Sequence, residues 1–471
     1  MTVDAVLSSE KGLIVAPAGC GKTHLITETL NIAKQRPYLV LTHTTAGVAA
    51  LKQRLRHLGV SNKNYIVATI DGWARHISNI FPVSCNVTAT PENPKVFYPQ
   101  LRRQVNRYLV SGSISELISS SYSQILVDEY QDCNLDQHAI IYTLSEILPT
   151  IVFGDPLQCI FNFGGPMPSW TDDVESRFPL LLELNTPWRW INAGAQGLGE
   201  WILHSRGLLL QGGAVDLQSY PEYVHWQQLS GNYQTDSTNQ IRTQYQIRQS
   251  GANKDSLLVI GNPIHPAPRH KFASASIGID VVEPVELADI TSLATDIDKL
   301  CGMELITRML DSLSSMMTGI GKANLIKRTQ TILAGRNIKQ PSQIELAASY
   351  VVATGSKESI ANLLSALEQS TDTRVFRTGA FSALKDTILL SVSDPAKTTK
   401  QAAEVVREQR RHLGDRRIPR CAIGSTLLLK GLEADHVLIL DAGEMNHNNL
   451  YVALSRGAKS ITVFSGSNNV P

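Results

Sequence analysis

The chain has 471 residues, 43% hydrophobic and 18% charged, a globular composition that excludes a disordered, collagen-like or coiled-coil chain and is too long for one ordinary core. Lys plus Arg number 43 against 42 for Asp plus Glu, so any polyanion site must be a local patch and not a field of the whole protein. The cysteines, at 20, 85, 133, 159, 301 and 421, form no C-x-x-C pair, which argues against zinc, iron–sulfur and disulfide scaffolds and for a reducing, cytoplasmic setting.

In chain order, Gly12 to Ala16 (GLIVA) is a short apolar run that predicts a strand, and Lys22 to Ala33 has the spacing of a helix. Pro37 to Thr42 and Ala46 to Leu58 repeat the pair, and such alternation builds a parallel α/β sheet. Further buried strands are expected at Tyr65 to Thr69, Gln124 to Val127, Thr150 to Phe153, Ser256 to Ile260 and His436 to Leu440. Two stretches break the pattern. Ile77 to Ser123 carries Pro82, Pro91, Pro94 and Pro99, then a basic helical segment with Arg102, Arg103 and Arg107, and reads as a small insertion. From about Ala288 to Arg417 the pattern is helical, a second insertion. No run of about 18 apolar residues occurs, and Met1 to Lys11, with Asp4 and Glu10, is unlike a secretion leader; no membrane partner is expected.

Ala16-Pro17-Ala18-Gly19-Cys20-Gly21-Lys22-Thr23 fits a phosphate-binding loop with Ala in the first Gly position. Glycines let backbone N–H groups wrap phosphate oxygens at a helix N-terminus, Lys22 reaches the terminal phosphates and the Thr23 hydroxyl ligates Mg²⁺. Cys20 reads as an incidental small residue, its thiol exposed on the loop and open to oxidation. Ile125 to Asp132 (ILVDEYQD) is an apolar strand running into adjacent carboxylates, which suits Asp128 to hold Mg²⁺ and Glu129 to polarise the attacking water. A solvated acidic turn is the plain alternative, and the flanking strand together with the glycine loop disfavours it. Ile151 to Gln158 is another apolar strand ending in polar groups.

Taken together and in order, A-P-A-G-C-G-K-T, V-D-E-Y-Q-D, F-G-D-P-L-Q-C-I-F, Pro187-Trp188-Arg189, Leu429-Lys430-Gly431-Leu432-Glu433 and Tyr451-Val452-Ala453-Leu454-Ser455-Arg456 resemble the motifs of superfamily 1A helicases of the UvrD/Rep/PcrA group. The resemblance implies that ATP with Mg²⁺ is the cofactor and that Ala18 to Thr23, with His24 beside them, hold it. It implies that Gln158 senses the γ-phosphate and that Arg189 and Arg456 are arginine fingers placed against transition-state charge. Trp188 would lie against the adenine, and Glu433, after Gly431, would meet the ribose. On the nucleic-acid side, Thr42-His43-Thr44-Thr45 and Thr69-Ile70-Asp71-Gly72-Trp73 resemble the family's single-strand-facing loops. Phe161 and Phe163 stand where the family stacks unpaired bases, although an i, i+2 aromatic pair is also an ordinary strand face. Six arginines between Arg407 and Arg420 make a basic patch suited to phosphates or simply to solvent.

Departures from the family pattern carry expectations of their own. No Gln stands between Met1 and Lys22 to read the adenine, so nucleotide choice is expected to be relaxed. Leu427 stands where the family often has His, which would loosen the link between ATP state and DNA grip. The expected architecture is α/β, with two RecA-like P-loop domains. The first spans 1–76 and 124–185 around a reduced 1B-like insertion at 77–123; the second spans 186–287 and 418–471 around a helical 2B-like insertion at 288–417. The expected function is that of an ATP-dependent translocase or helicase on single-stranded or partly duplex DNA, by resemblance 3′ to 5′. The alternative is a DNA-stimulated ATPase that senses ends for a partner nuclease or repair complex, like the small UvrD-like subunits of antiphage systems such as Gabija.

Overall fold

Runs of about five apolar residues, each closed by Gly, Pro or a polar turn, fold as strands buried on both faces, and the helical segments between them carry the chain back for parallel pairing. The structure, a computed structural model, describes residues 2–161, 165–220, 222–250, 255–284, 287–336, 338–413 and 419–471. One sheet contains β1 (Lys11–Val15), β2 (Tyr38–Thr42), β3 (Tyr65–Thr69), β4 (Ile125–Val127), β5 (Thr150–Gly154) and β6 (Leu180–Glu183), in the order β3-β2-β4-β5-β1-β6. Its pairings are all parallel. Because β4, β5 and β1 are neighbours, the segments leaving their carboxyl ends lie side by side, where open α/β sheets bind ligands. Val15 is paired with Gly154, and Val127 with Val152.

By internal contacts the chain divides into two compact units, Met1–Trp226 with Met445–Ile461 and Asn468–Pro471, and Gln227–Glu444 with Thr462–Ser467. Residues 186–226 and 445–461, expected with a second motor domain, thus group by internal contacts with the first unit. In the first unit α1 (Lys22–Asn31) follows the glycine loop and α2 (Ile70–Ile80) follows β3 directly. The small insertion contains α3 (Pro94–Val110), whose Phe97, Leu101, Val105 and Leu109 recur every four residues and are buried. They join one core with Leu13, Leu39 and Val127 of the sheet and with Ile140, Ile141 and Leu144 of α4 (Leu135–Ser145). The insertion is therefore part of the first unit's own core.

A polar tie reinforces that packing. Arg102 of α3 donates from Nε and Nη2 to the two carboxylate oxygens of Asp71, each at 2.6 Å, and Gln137 of α4 adds a third donor at 3.3 Å. Arg102→Ala would strand a largely buried carboxylate and is expected to cost roughly 3 kcal/mol, seen as a lower urea midpoint at unchanged slope; an unchanged midpoint would mean the pair is replaceable by solvent.

The second sheet has the order β9-β10-β8-β11-β12-β7, built from β7 (Val224–Gln228), β8 (Leu257–Ile260), β9 (Asp280–Val281), β10 (Cys421–Gly424), β11 (Ala434–Ile439) and β12 (Gly457–Ser465). The pairings of β9 with β10, β10 with β8 and β8 with β11 are parallel. The two mostly parallel, helix-flanked sheets make this a RecA-like α/β fold. In the second unit the stretch from Ala288 is helical as expected, with its own core of Leu293, Met309, Leu310, Leu363, Leu364 and Leu384. No helix of the described residues is long and apolar enough to cross a membrane.

Candidate nucleotide site

β1 ends at Val15, and the Ala16 N–H is tied to the Gly154 carbonyl at 2.9 Å, so the loop leaves the sheet beside β5. Gly19 and Gly21 have φ of 72° and 92°, left-handed values that only glycine adopts without strain. They are also the points of closest approach: a Cβ at Gly19 would lie 2.9 Å from both the Arg189 Cβ and Trp190 Cζ3, and one at Gly21 would lie 3.1 Å from Trp188 Cδ1. Gly21 is the N-cap of the ten-residue α1, so unpaired amides and the positive end of the helix dipole face the loop.

Lys22, at the start of that helix, lies 2.8 Å from Asp128 Oδ1 and also pairs with Glu129. Burial alone would lower its ammonium, yet the two carboxylates more than reverse this and hold it above the usual amine range. Burial raises the Asp128 carboxyl, and Lys22 opposes that rise without cancelling it. Glu129 has φ 55°, a left-handed conformation costing a non-glycine residue roughly 1–3 kcal/mol. It is held there by Lys22 and by Gln131, whose Nε2 donates to Glu129 Oε2 at 2.5 Å. The Asp155 N–H donates in turn to Gln131 Oε1 at 3.2 Å, which links the end of β4 to the end of β5. Asp128 and the Thr23 hydroxyl are hard oxygen donors of the kind Mg²⁺ takes together with phosphate oxygens. Among the described residues no group of three or more His, Cys, Asp or Glu side chains could hold a metal ion.

Two further segments of the first unit close on this loop. The first is α5 (Trp188–Asn192), whose Arg189 N–H donates to the Gly19 carbonyl at 3.1 Å while its guanidinium reaches the Ser455 carbonyl. Trp190 is fully buried and donates to the Gly457 carbonyl at 2.7 Å, whereas Trp188 is half-exposed beside Gly21. After α5 the chain continues into α6 (Gln196–Leu210). The second segment is α7 (His447–Leu454), whose Tyr451 hydroxyl accepts from the Ala18 N–H at 3.0 Å. Burial pushes that phenol well above its ordinary pKa, so it stays a neutral hydroxyl. Arg456 is buried and donates to the Val452 carbonyl and the Ser455 hydroxyl at 2.9 and 2.7 Å. Both proposed fingers thus belong to the same unit as the glycine loop. His24 points outward and lies 3.3 Å from Glu28. Gly431 and Glu433 belong to the second unit, on the turn before β11.

Of the residues expected to face nucleic acid, His43 and Phe161 come together, with ring centroids 5.5 Å apart and planes tilted by 53°. Thr42 is buried at the end of β2. The Thr69 hydroxyl caps α2 by accepting from the Gly72 N–H at 2.9 Å. Phe163 lies outside the described residues, as do 414–418 of the basic patch.

Residues 93–179 match the family model described as the UvrD/REP helicase N-terminal domain. The chain resembles the UvrD/Rep helicases. It is also 25% identical, over 194 aligned residues, to Gabija protein GajB of Bacillus cereus (strain VD045); the match covers 33% of this chain and 39% of that protein's length.

One expectation for this UvrD-like site is corrected. Cys20 is buried, not exposed, and burial, the largest influence, pushes its thiol up to about 12, so it is a poor target for oxidation. Three contributors escaped sequence reasoning: Gln131, Arg206 and Asn448. For Arg206 a signal existed, since it is a lone cation on the apolar stripe Leu198, Ile202, Leu209 of α6; a charge in such a place needs a buried partner. Gln131 stands within the V-D-E-Y-Q-D motif, but its contact with Asp155, like those of Asn448 with Pro156 and Cys159, joins segments that no local pattern links.

Proposed function

We propose that the protein hydrolyses ATP at the glycine loop and uses the cycle to move along single-stranded DNA, as a translocase or helicase of 3′ to 5′ polarity. The observation that carries this reading is the mostly covered Lys22 between Asp128 and Glu129 at the foot of a loop whose glycines are left-handed. An ammonium has three N–H donors, so Lys22 can keep Asp128 and still reach a terminal phosphate. Mg²⁺, held by Thr23 and Asp128 together with phosphate oxygens, would neutralise charge on the triphosphate. Glu129, once Lys22 turns to the phosphate, is the carboxylate left to take the proton of the attacking water. Arg189 and Arg456 would supply guanidinium charge to the transition state, and Trp188, half-exposed beside Gly21, offers a flat face to the base. His43 with Phe161 would meet the strand.

A second reading is supported by the insertion folded into the first core and by the likeness to Gabija protein GajB. Here the ATPase senses DNA ends and licenses a partner nuclease or repair complex while unwinding little. Steady-state phosphate release with and without single-stranded DNA tests the shared premise; a rate equal in both refutes a nucleic-acid-driven cycle. Translocation and strand-displacement assays on one preparation then separate the two readings: displacement keeping pace with translocation favours the helicase, and translocation without displacement favours the sensor.

A further inference from the structure

The Asp155-Pro156-Leu157-Gln158 turn, which leaves β5 toward the glycine loop, is held by two side chains that belong to none of the motifs recognised in the sequence. Asp155 has no solvent exposure. Its Oδ1 accepts from the Leu157 N–H at 3.3 Å and from Arg206 Nε and Nη2 at 3.2 and 3.1 Å, and its Oδ2 accepts from Gln158 Nε2 at 3.1 Å. The third Arg206 nitrogen, Nη1, donates to Glu183 of β6 at 2.8 Å. Arg206 is itself buried, so its planar fork is locked at both ends, and the Asp155 carboxylate is pinned in one rotation about a torsion that is otherwise soft. That rotation decides how the Gln158 amide sits, because reversing the amide would set Oε1 against a carboxylate oxygen, acceptor against acceptor. From the other side Asn448 of α7 donates through Nδ2 to the carbonyls of Pro156 and Cys159, at 3.0 and 2.9 Å, and clasps both ends of the turn. The same helix carries Tyr451, bonded to the Ala18 amide, so one element braces the loop and the Gln158 turn together.

We infer that Arg206 is a positioning residue for ATP hydrolysis: through Asp155 it holds the Gln158 amide in the orientation that meets the terminal phosphate or its attacking water. The inference rests on the proposed hydrolytic reading, and its effect is confined to turnover, because Arg206 acts on the amide and not on the loop that binds the nucleotide. Removing the fork takes away two of the three donors on Asp155 Oδ1 and leaves the Leu157 N–H, which loosens the hold on the Gln158 amide and costs orientation at the reacting atoms and not affinity.

The test is a cycle of Arg206→Gln and Gln158→Ala in the full chain, read by steady-state phosphate release in the presence of single-stranded DNA. Arg206→Gln is expected to lower kcat about tenfold with KM for ATP within about twofold of wild type. In the Gln158→Ala background the same substitution is expected to change kcat by less than about twofold. Because Arg206→Gln strands a buried carboxylate, Arg206→Lys, which keeps the charge and loses the fork, is carried through the same cycle and should give an intermediate kcat. An unchanged kcat, a rise in KM that accounts for the whole loss, or an equal loss with and without Gln158 would overturn the inference and leave Arg206 as packing. Wild-type protein that binds ATP and turns none over would instead refute the hydrolytic reading, and this inference with it.

Discussion

Lys22→Ala is expected to lower ATP turnover by roughly a thousandfold, the scale of losing a preorganised charge donor at a transferring phosphoryl group. Steady-state phosphate release reads it directly, and wild-type-like hydrolysis would refute the site. The same substitution has a stability signature that separates a vacated site from a collapsed one. Lys22 is the common cation of Asp128 and Glu129, and its removal leaves two adjacent carboxylates in a largely buried setting, a loss of roughly 3 kcal/mol near neutral pH. The sign of the pH dependence follows from Asp128. Its carboxyl is already raised in the folded protein, by burial, with Lys22 limiting the rise. A raised carboxyl binds its proton more tightly folded than unfolded, so its effect favours folding below the ordinary carboxylate pKa and is lost as pH climbs through the raised value. Without Lys22 the rise is larger. The deficit of Lys22→Ala relative to wild type should therefore narrow between pH 8 and pH 5 in denaturant titrations, and a constant deficit would remove Lys22 as the counterion of this pair.

Glu129→Gln is expected to cut kcat by about a thousandfold, within the range for loss of a general base, while ATP affinity and thermal stability stay close to wild type. The amide is isosteric, can still accept from Gln131 Nε2 and keeps the left-handed backbone at this position. What is lost is the capacity to take a proton and one of the two negative charges beside Lys22, which keeps Asp128 as its counterion. Equilibrium binding of a fluorescent ATP analogue together with single-turnover hydrolysis separates these quantities. Turnover at the wild-type rate would reduce Glu129 to a counterion of Lys22, and weakened binding would place it on the nucleotide and not on the water.

The strands that were legible in the sequence are continuous apolar runs, most of them buried on both faces, with Tyr65–Thr69 half-buried because Ile66 faces solvent. Tyr65–Thr69 falls where expected, and Lys11–Val15, Tyr38–Thr42, Thr150–Gly154 and Leu257–Ile260 differ from expectation by a residue at one end or both. Continuous apolar runs bounded by Gly, Pro or polar residues have few alternatives. Of the strands not anticipated, Cys421–Gly424 is fully buried but only four residues long, and three others lack that signature for separate reasons. Leu180–Glu183 has no buried residue, Asp280–Val281 is only two residues long, and Gly457–Ser465 opens on the polar Gly-Ala-Lys-Ser before its apolar half. Their place comes from pairing with a sheet that already exists. Cys20 was misjudged for a related reason: its loop sits under Trp190 and Tyr451, which approach from distant parts of the chain.

The glycine loop, the paired carboxylates and the order of the segments around them could be read from the chain's local patterns, because a strand, the sharp turn after it and the helix start that follows are short-range matters of apolar run, left-handed glycine and capping. Tertiary structure alone decided which side chains those segments meet. Arg206 lies 51 residues from Asp155, and Asn448 lies 289 residues from Cys159, separations across which propensity carries no information. Only the adjacency of β4, β5 and β1, with α5, α6 and α7 packed about them, turns separate motifs into one buried network of charges and amides.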